Sequence, residues 1–83
     1  MPEIIILGRV EYAPADRARY LAHIDELVVA TRHEPGVRRY EIVADPHSAT
    51  GVLVMEHYAS SEGLEAHRSS AHLKRFRSQT EVS

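Results

Sequence analysis

Two stretches of the chain, Ile4–Leu7 and Val52–Met55, are continuously apolar where a strand of a small sheet would normally alternate. A sheet covered by helices on one side alternates apolar residues toward the core with polar residues toward solvent. These stretches would place apolar side chains on both faces, and 83 residues leave little to cover the second face. We therefore expect a homodimer in which two sheets pack face to face. The alternative is that the runs reflect only the strand propensity of β-branched residues at exposed edges.

The rest of the pattern predicts a single domain, residues 1–83, of the α+β class. The predicted elements are a strand at Glu3–Tyr12, a helix at Pro14–His33, strands at Val37–Ala44 and Val52–Tyr58 joined by the loop 45–51, and helices at Ser61–Arg68 and Ala71–Ser78. This β-α-β-β-α order is the ferredoxin-like pattern with its fourth strand short or missing.

Composition and motifs exclude several classes of function. The chain has no cysteine, so it can form neither a disulfide framework nor a thiolate metal site. Its net charge of −2 argues against nucleic acid as a partner, and its four glycines form no phosphate-binding loop. The longest apolar run is far too short for a membrane helix, so we expect a cytoplasmic protein. Neither HExxH nor a histidine pair at i, i+4 occurs, and we predict no metal.

Histidine exchanges protons near neutral pH, and this chain has six of them. His67 is expected to face the interior, because Leu64, His67 and Ala71 share one helical stripe if helicity continues past Ser70. Such a histidine can be a base, or a core residue hydrogen-bonded to a backbone carbonyl. His72 opens the next helix and could turn into the same cleft. These two are the candidate catalytic bases.

The third predicted strand brings a carboxylate into an apolar layer. One face of that strand carries Val52, Val54, Glu56 and Tyr58, and the other carries Leu53, Met55 and His57. A desolvated Glu56 would have a raised pKa unless it is paired, and Arg9 on the neighbouring strand is the candidate partner. The alternative is an ordinary cross-strand ion pair that fixes register. Tyr40 and Tyr58 could line an aromatic-binding cavity or fill the core.

Several of these residues together resemble the antibiotic biosynthesis monooxygenase family, in particular its quinol-monooxygenase-like members. The matching segments are the helix exit Thr31–Gly36, Tyr40, and the stretch Met55–Phe76. That stretch carries a Glu, an aromatic two positions on, a Leu-x-x-His helix, a small-residue break and a second His. The chain departs from the family in having Tyr58 where Trp is usual, and in ending at Ser83, about where the family's fourth strand would begin.

The resemblance implies a dimeric α/β barrel that oxygenates a quinol or polycyclic phenol with O2, without metal, flavin or other cofactor. It implies His67 or His72 as the base and Glu56 as the group that orients base or substrate. Tyr58, Tyr40 and Arg9 are the candidate substrate-binding residues. Relatives that degrade haem carry a Trp at position 67, so haem cleavage is not implied. The alternatives are a non-enzymatic dimeric ligand-binding or accessory module, and an isomerase or cyclase on the same fold.

Overall fold

The predicted order of helices and strands is confirmed in a computed structural model, which describes residues 2–80. The elements are β1 (Ile4–Glu11), α1 (Arg17–Arg32), β2 (Val37–Ala44), β3 (Gly51–Tyr58), α2 (Ser61–Arg68) and α3 (Ala71–Thr80). The three strands and three helices form an α+β, ferredoxin-like arrangement. Within residues 2–80, no helix is both long enough and apolar enough to cross a membrane.

The ends of two helices differ from the prediction. The segment Pro14–Asp16 forms a separate 3-10 turn, and α1 begins only at Arg17. Proline lacks a backbone N–H and has a fixed φ, so it suits a first turn of either kind, and the sequence pattern does not separate the two. At the other end of the chain, α3 extends to Thr80, whose hydroxyl donates to the carbonyl of Phe76 at 2.7 Å.

The sheet is antiparallel with strand order β1-β3-β2. The central strand β3 places Glu56 opposite Ile6 of β1 and opposite Tyr40 of β2. Within the described residues, β1 pairs on one edge only, where a ferredoxin-like sheet would carry its fourth strand. Residues of β3, such as Glu56, therefore have a paired strand on each side.

The two faces of the sheet differ in cover. The covered face lies against the helices and carries Tyr40, Ile42, Val52, Val54, Glu56 and Tyr58. The open face carries Ile5, Leu7, Arg9, Val43, Leu53 and Met55. Tyr58 is 0% exposed on the covered face, whereas Leu7 is 76% exposed and Ile5 64% exposed on the other. The prediction that the strands are apolar on both faces is therefore confirmed for the single chain.

The core between sheet and helices is rich in aromatic side chains. All four tyrosines are buried. Tyr12 stacks on Tyr20 with ring centroids 4.8 Å apart, and Tyr20 meets Phe76 edge-on at 5.6 Å. Tyr40 and Tyr58 lie toward the opposite end of β3 and are near His67. The core therefore has one end where stacked aromatic rings pack with Ile24 and Val52, and another end that contains a histidine.

Two glycines allow the turn after α1 to touch the start of α2. A Cβ on Gly36 would lie 2.6 Å from the Cα of Gly63, and a Cβ on Gly63 would lie 2.9 Å from the carbonyl oxygen of Gly36. That carbonyl also accepts a hydrogen bond from the N–H of Ala59 at 2.9 Å. Helix α2 is capped at the same point, because the N–H of Gly63 donates to the side chain of Ser60. The backbone contact brings α2 close to the end of α1.

Candidate active site

A cavity of about 430 Å³ lies between the covered face and the helices. Its lining is mostly aliphatic and aromatic, with five polar side chains: Glu56, His67, Arg68, Arg77 and Thr80. Ligand pockets commonly combine a large apolar wall with a few polar groups that orient the bound molecule. This cavity therefore has the composition expected of a site for an apolar or aromatic molecule.

His67 faces this cavity from α2 together with Leu64, although the helix ends at Arg68 and the predicted stripe does not continue to Ala71. His67 lies one helical turn after Gly63, on the face that the glycine contact presses toward the end of α1. The imidazole is 3% exposed, and its ring centroid is 5.1 Å from that of Tyr40 and 5.7 Å from that of Tyr58. Two aromatic rings on the sheet therefore fix the position of the imidazole.

Glu34, at the exit of α1, holds the other side of this imidazole. The Nδ1 atom of His67 lies 2.9 Å from the Oε2 atom of Glu34, and both side chains are largely buried. Because a carboxylate can only accept, Nδ1 is the protonated nitrogen of a neutral His67. The sequence analysis missed Glu34, which it treated only as part of a helix-ending segment. Its partner is 33 residues away, and no spacing pattern in the sequence links the two.

His72 reaches the same carboxylate from α3. Its Nε2 atom lies 2.6 Å from Oε2 of Glu34. The prediction that His72 turns into the same cleft as His67 is wrong: it lines a separate, smaller cavity of about 200 Å³ between α1 and α3. The two histidines belong to different helices, α2 and α3, which are separated by a break at Ser69 and Ser70, so helical periodicity does not relate their directions.

Glu56 faces the cavity from the centre of β3 and accepts a hydrogen bond from the Tyr58 hydroxyl. Burial, together with this hydrogen bond, raises the pKa of the Tyr58 phenol. Burial also raises the pKa of the Tyr40 phenol, and the nearby charges of Glu56 and Glu34 act in the same direction. Both tyrosines therefore remain neutral. The Tyr58 hydroxyl is committed to Glu56 and Tyr58 does not line the cavity, so of the two only Tyr40 can contact a bound molecule.

The predicted pairing of Arg9 with Glu56 is wrong. Arg9 opposes Leu53, whereas Glu56 opposes Ile6, so the two side chains lie on opposite faces of the sheet. The guanidinium instead donates to Asp45 at 2.6 Å and also pairs with Glu11. The hydrogen bond from Arg9, together with one from the backbone N–H of His47, holds the pKa of the Asp45 carboxyl below its usual range. Arg9 does not line the large cavity, and the reason for assigning it to substrate binding is lost.

The site combines an imidazole with a mostly apolar cavity wall. When the Nε2 atom of His67 takes a proton, the Glu34 carboxylate on Nδ1 stabilises the imidazolium that forms, as in other carboxylate–histidine pairs. Arg68 and Arg77 also line this cavity, although the side chain of Arg68 is 56% exposed and its guanidinium lies 3.6 Å from Glu65. Glu34, His67 and His72 also present three metal-ligating atoms close together.

Known proteins resemble this chain in sequence and in fold. The family model for antibiotic biosynthesis monooxygenase matches residues 3–79. Rv0793 of Mycobacterium tuberculosis has a name that provisionally calls it a monooxygenase. It is 31% identical to this chain over 78 residues, which is 92% of this chain and 74% of Rv0793. The solved structure of Rv0793 has a TM-score of 0.88 at 26% identity, covering 96% of this chain and 81% of that one.

Two further solved structures share the fold. One, from Bacteroides thetaiotaomicron, is described as an antibiotic biosynthesis monooxygenase and has a TM-score of 0.87 at 28% identity, covering 95% of this chain and 76% of its own. The other, from Caulobacter crescentus, has a TM-score of 0.90 at 21% identity with the same coverages, and at that identity it supports the fold alone. With its cavity, its buried His67 and a family match over almost its entire length, the chain belongs to the antibiotic biosynthesis monooxygenase family.

Proposed function

We propose that this protein is a monooxygenase that oxidises a quinol or polycyclic phenol with O2, without a metal or organic cofactor. The observation that carries the proposal is His67, buried at an apolar cavity with Nδ1 held by Glu34. This geometry leaves Nε2 as the ring nitrogen that can accept a proton from a bound phenol. The family membership supports the same class of reaction.

Proton removal is the step that His67 supplies. A phenol bound with its hydroxyl near Nε2 loses its proton to the imidazole, and the resulting phenolate is more electron-rich than the neutral ring. The apolar lining excludes water that would otherwise solvate the anion. Arg68 and Arg77 supply positive charge in the same cavity. The anion is then the group that donates electrons to O2.

The electrons balance without an external reductant. A quinol and one O2 give a hydroxyquinone and one water: one oxygen atom enters the ring, and the other leaves as water. A phenol with a free para position gives a para-quinone and one water in the same way. The substrate supplies all four electrons that O2 accepts, and the substrate protons end in the water.

Glu56, Tyr58 and Tyr40 are proposed to position the substrate. The Tyr58 hydroxyl is bonded to Glu56, so the carboxylate is held at the cavity wall with its second oxygen free to accept from a substrate hydroxyl. The ring of Tyr40 lines the cavity beside His67 and offers aromatic surface to a bound ring, whereas the fully buried Tyr58 contributes by holding Glu56.

We also propose that the working form is a homodimer joined through the open faces of two sheets. The open face exposes Ile5, Leu7, Val43 and Leu53 on adjacent strands. A contiguous apolar surface of this kind is typical of an interaction site. A second copy presents the same mixture of apolar residues and compensated charges, such as the Arg39–Glu41 pair, so the face is suited to self-association.

Oxygen uptake with a panel of quinols and polycyclic phenols tests the proposed function. Purified wild-type protein should consume one O2 for each quinone formed, and His67→Ala should lose ~10²–10⁴-fold in rate, the usual contribution of a general base. His47→Ala is the control, because His47 is exposed in the β2–β3 loop. A folded wild-type protein that consumes no O2 with any substrate would exclude the oxygenase. Turnover that continues in the absence of O2 would favour an isomerase or cyclase, and tight binding without turnover a ligand-binding module.

A further inference from the structure

We propose that Glu34, His67 and His72 form a binding site for a divalent transition-metal ion, with Zn²⁺ as the probe ion, and that the ion inhibits the base. The ligand atoms are Nδ1 of His67, Nε2 of His72 and the carboxylate of Glu34. This inference goes beyond the proposed oxygenation, in which no metal takes part. It requires only that one ion takes the place of the two hydrogen bonds that now join His67 and His72 to Glu34.

The distances support a shared ion. The three ligating atoms all lie within 4.8 Å of one another. The two histidine nitrogens are 2.9 Å and 2.6 Å from the same oxygen, Oε2 of Glu34. Zinc–nitrogen and zinc–oxygen bonds of ~2.0–2.2 Å place neighbouring ligand atoms ~3.3 Å apart in a tetrahedral site. Small side-chain rotations that move the ligand atoms by less than an ångström would therefore make room for an ion between them.

An unsatisfied atom provides a second, independent argument. Both histidines bond to Oε2, whereas Oε1 of Glu34 is buried with no hydrogen-bond partner. A buried carboxylate oxygen without a partner is costly, because it has lost its hydration and gained nothing in return. A cation bound by the carboxylate would compensate the negative charge at both oxygens.

The donor set and the supporting elements suit a transition metal. Two imidazoles and one carboxylate are a known catalytic zinc set, and first-row divalent ions in general accept such ligands. The three residues come from the exit of α1, from α2 and from α3, and the contact between Gly36 and Gly63 holds the first two of these elements together. His72 is the most exposed ligand and lines the smaller cavity, so an ion can enter there without crossing the large one.

Metal binding would change what His67 can do. Without an ion, the Nδ1–H group of His67 donates a hydrogen bond to Glu34, and Nε2 is the acceptor at the large cavity. An ion on Nδ1 takes that lone pair, so a neutral imidazole must carry its proton on Nε2. His67 then presents a donor to the cavity where it had presented an acceptor. Zinc should therefore block removal of the substrate proton while leaving the cavity intact.

Isothermal titration calorimetry of the chelator-treated protein with Zn²⁺ measures binding at the site in the absence of any substrate. We expect one ion per chain for the wild type. His72→Ala and Glu34→Gln should each weaken binding by more than the ~10-fold that loss of even an outer-shell partner causes. Co²⁺ should give visible absorption bands far more intense than those of the aqueous ion in the wild type and not in His72→Ala. Circular dichroism of each variant establishes that it is folded.

His57→Ala is the matched control. His57 also contacts a carboxylate, with its Nε2 atom 2.7 Å from Oε1 of Glu3, but it lies on the other side of the sheet. Its replacement should leave zinc affinity unchanged. Equal zinc affinity in wild type and His72→Ala, or loss of binding in His57→Ala alone, would overturn the proposal. Because binding is measured without turnover, a failure of the oxygenase assay does not affect this result.

Discussion

The two faces of one sheet have similar aliphatic residues but very different surroundings. On β3, Val52 is 2% exposed on the covered face, and the adjacent Leu53 is 37% exposed on the open face. The covered face also contains all the buried polar groups of β3 that matter for chemistry, Glu56 and the Tyr58 hydroxyl. Strand alternation therefore divides the residues into two sets, but the helices decide which set becomes a site.

Charged side chains are stabilised differently on the two faces of the sheet. On the open face, the half-exposed Arg9 is compensated by the half-exposed Glu11 and by Asp45, which is itself buried. On the covered face, Glu56 accepts a hydrogen bond from Tyr58, and on the helix that packs over it His67 contacts Glu34. Loss of one partner on the covered face leaves the other buried and unpaired, which is the more costly situation.

The largest stability effect should come from the covered face. Tyr58→Ala removes a fully buried ring and should destabilise the fold by about 3–5 kcal/mol, the range found for large aromatic-to-alanine changes. Urea unfolding followed by circular dichroism measures the loss. Leu7→Ala, on the open face, is the comparison and should cost much less in the isolated chain. Equal losses for the two variants would contradict the distinction between the faces.

The open face should instead control self-association. Leu7→Lys removes an apolar side chain whose burial is worth about 1.5–3 kcal/mol, so the dimer dissociation constant should rise at least ~10-fold. Sedimentation equilibrium measures this constant. Val29→Lys is the control, since Val29 is 59% exposed on α1 and is not part of the open face. A monomeric wild type, or equal weakening by both lysines, would refute the proposed interface.

The covered face should also depend on the close contact of α2. Gly63→Ala puts a Cβ against the backbone of Gly36 and should cost about 1–3 kcal/mol, the usual effect of overpacking. It should also reduce oxygenation, because the strain moves His67 relative to Glu34. Gly8→Ala is the control, since a Cβ there meets nothing within 4 Å. The urea unfolding midpoints and O2 uptake of the two variants would show whether the loss comes from the Gly36–Gly63 contact or from any glycine-to-alanine change.

The smallest effect should appear at high pH. The pKa of Tyr58 is raised by folding, so the folded protein keeps a proton that the unfolded chain loses above pH ~10. Its contribution to stability is therefore complete below that pH and declines as the pH rises. Tyr58→Phe should lose about 1 kcal/mol near neutral pH and show a shallower decline at high pH. Urea unfolding across this range would contradict the assignment if both proteins had the same pH slope.

Much of the fold could be predicted because local signals agree with it. The prolines and glycines bound the elements, and the β2–β3 hairpin was predicted with β2 at Val37–Ala44 as found. The choice of face for β3 could not be predicted, because apolar residues occupy both sets of positions. The 3-10 turn at Pro14–Asp16 was missed since it shares its residue preferences with a helical first turn.

The site was predictable only in part. The inward orientation of His67 followed from helical periodicity, but its partner did not. Glu34 becomes visible only once Gly36 and Gly63 are known to touch, and that contact depends on the tertiary fold. Arg9 was misplaced because neighbouring strands were considered without register, which decides the face of every side chain. The dimer and the catalytic roles stay predictions.

The distribution of tyrosines gives this molecule an internal optical reporter. The chain has no tryptophan, and each of its four tyrosines is buried between sheet and helices. Ultraviolet absorbance and intrinsic fluorescence therefore come almost entirely from the layer that contains the cavity. A ligand that enters beside Tyr40 should perturb these signals directly, so titrations can be followed on unlabelled protein.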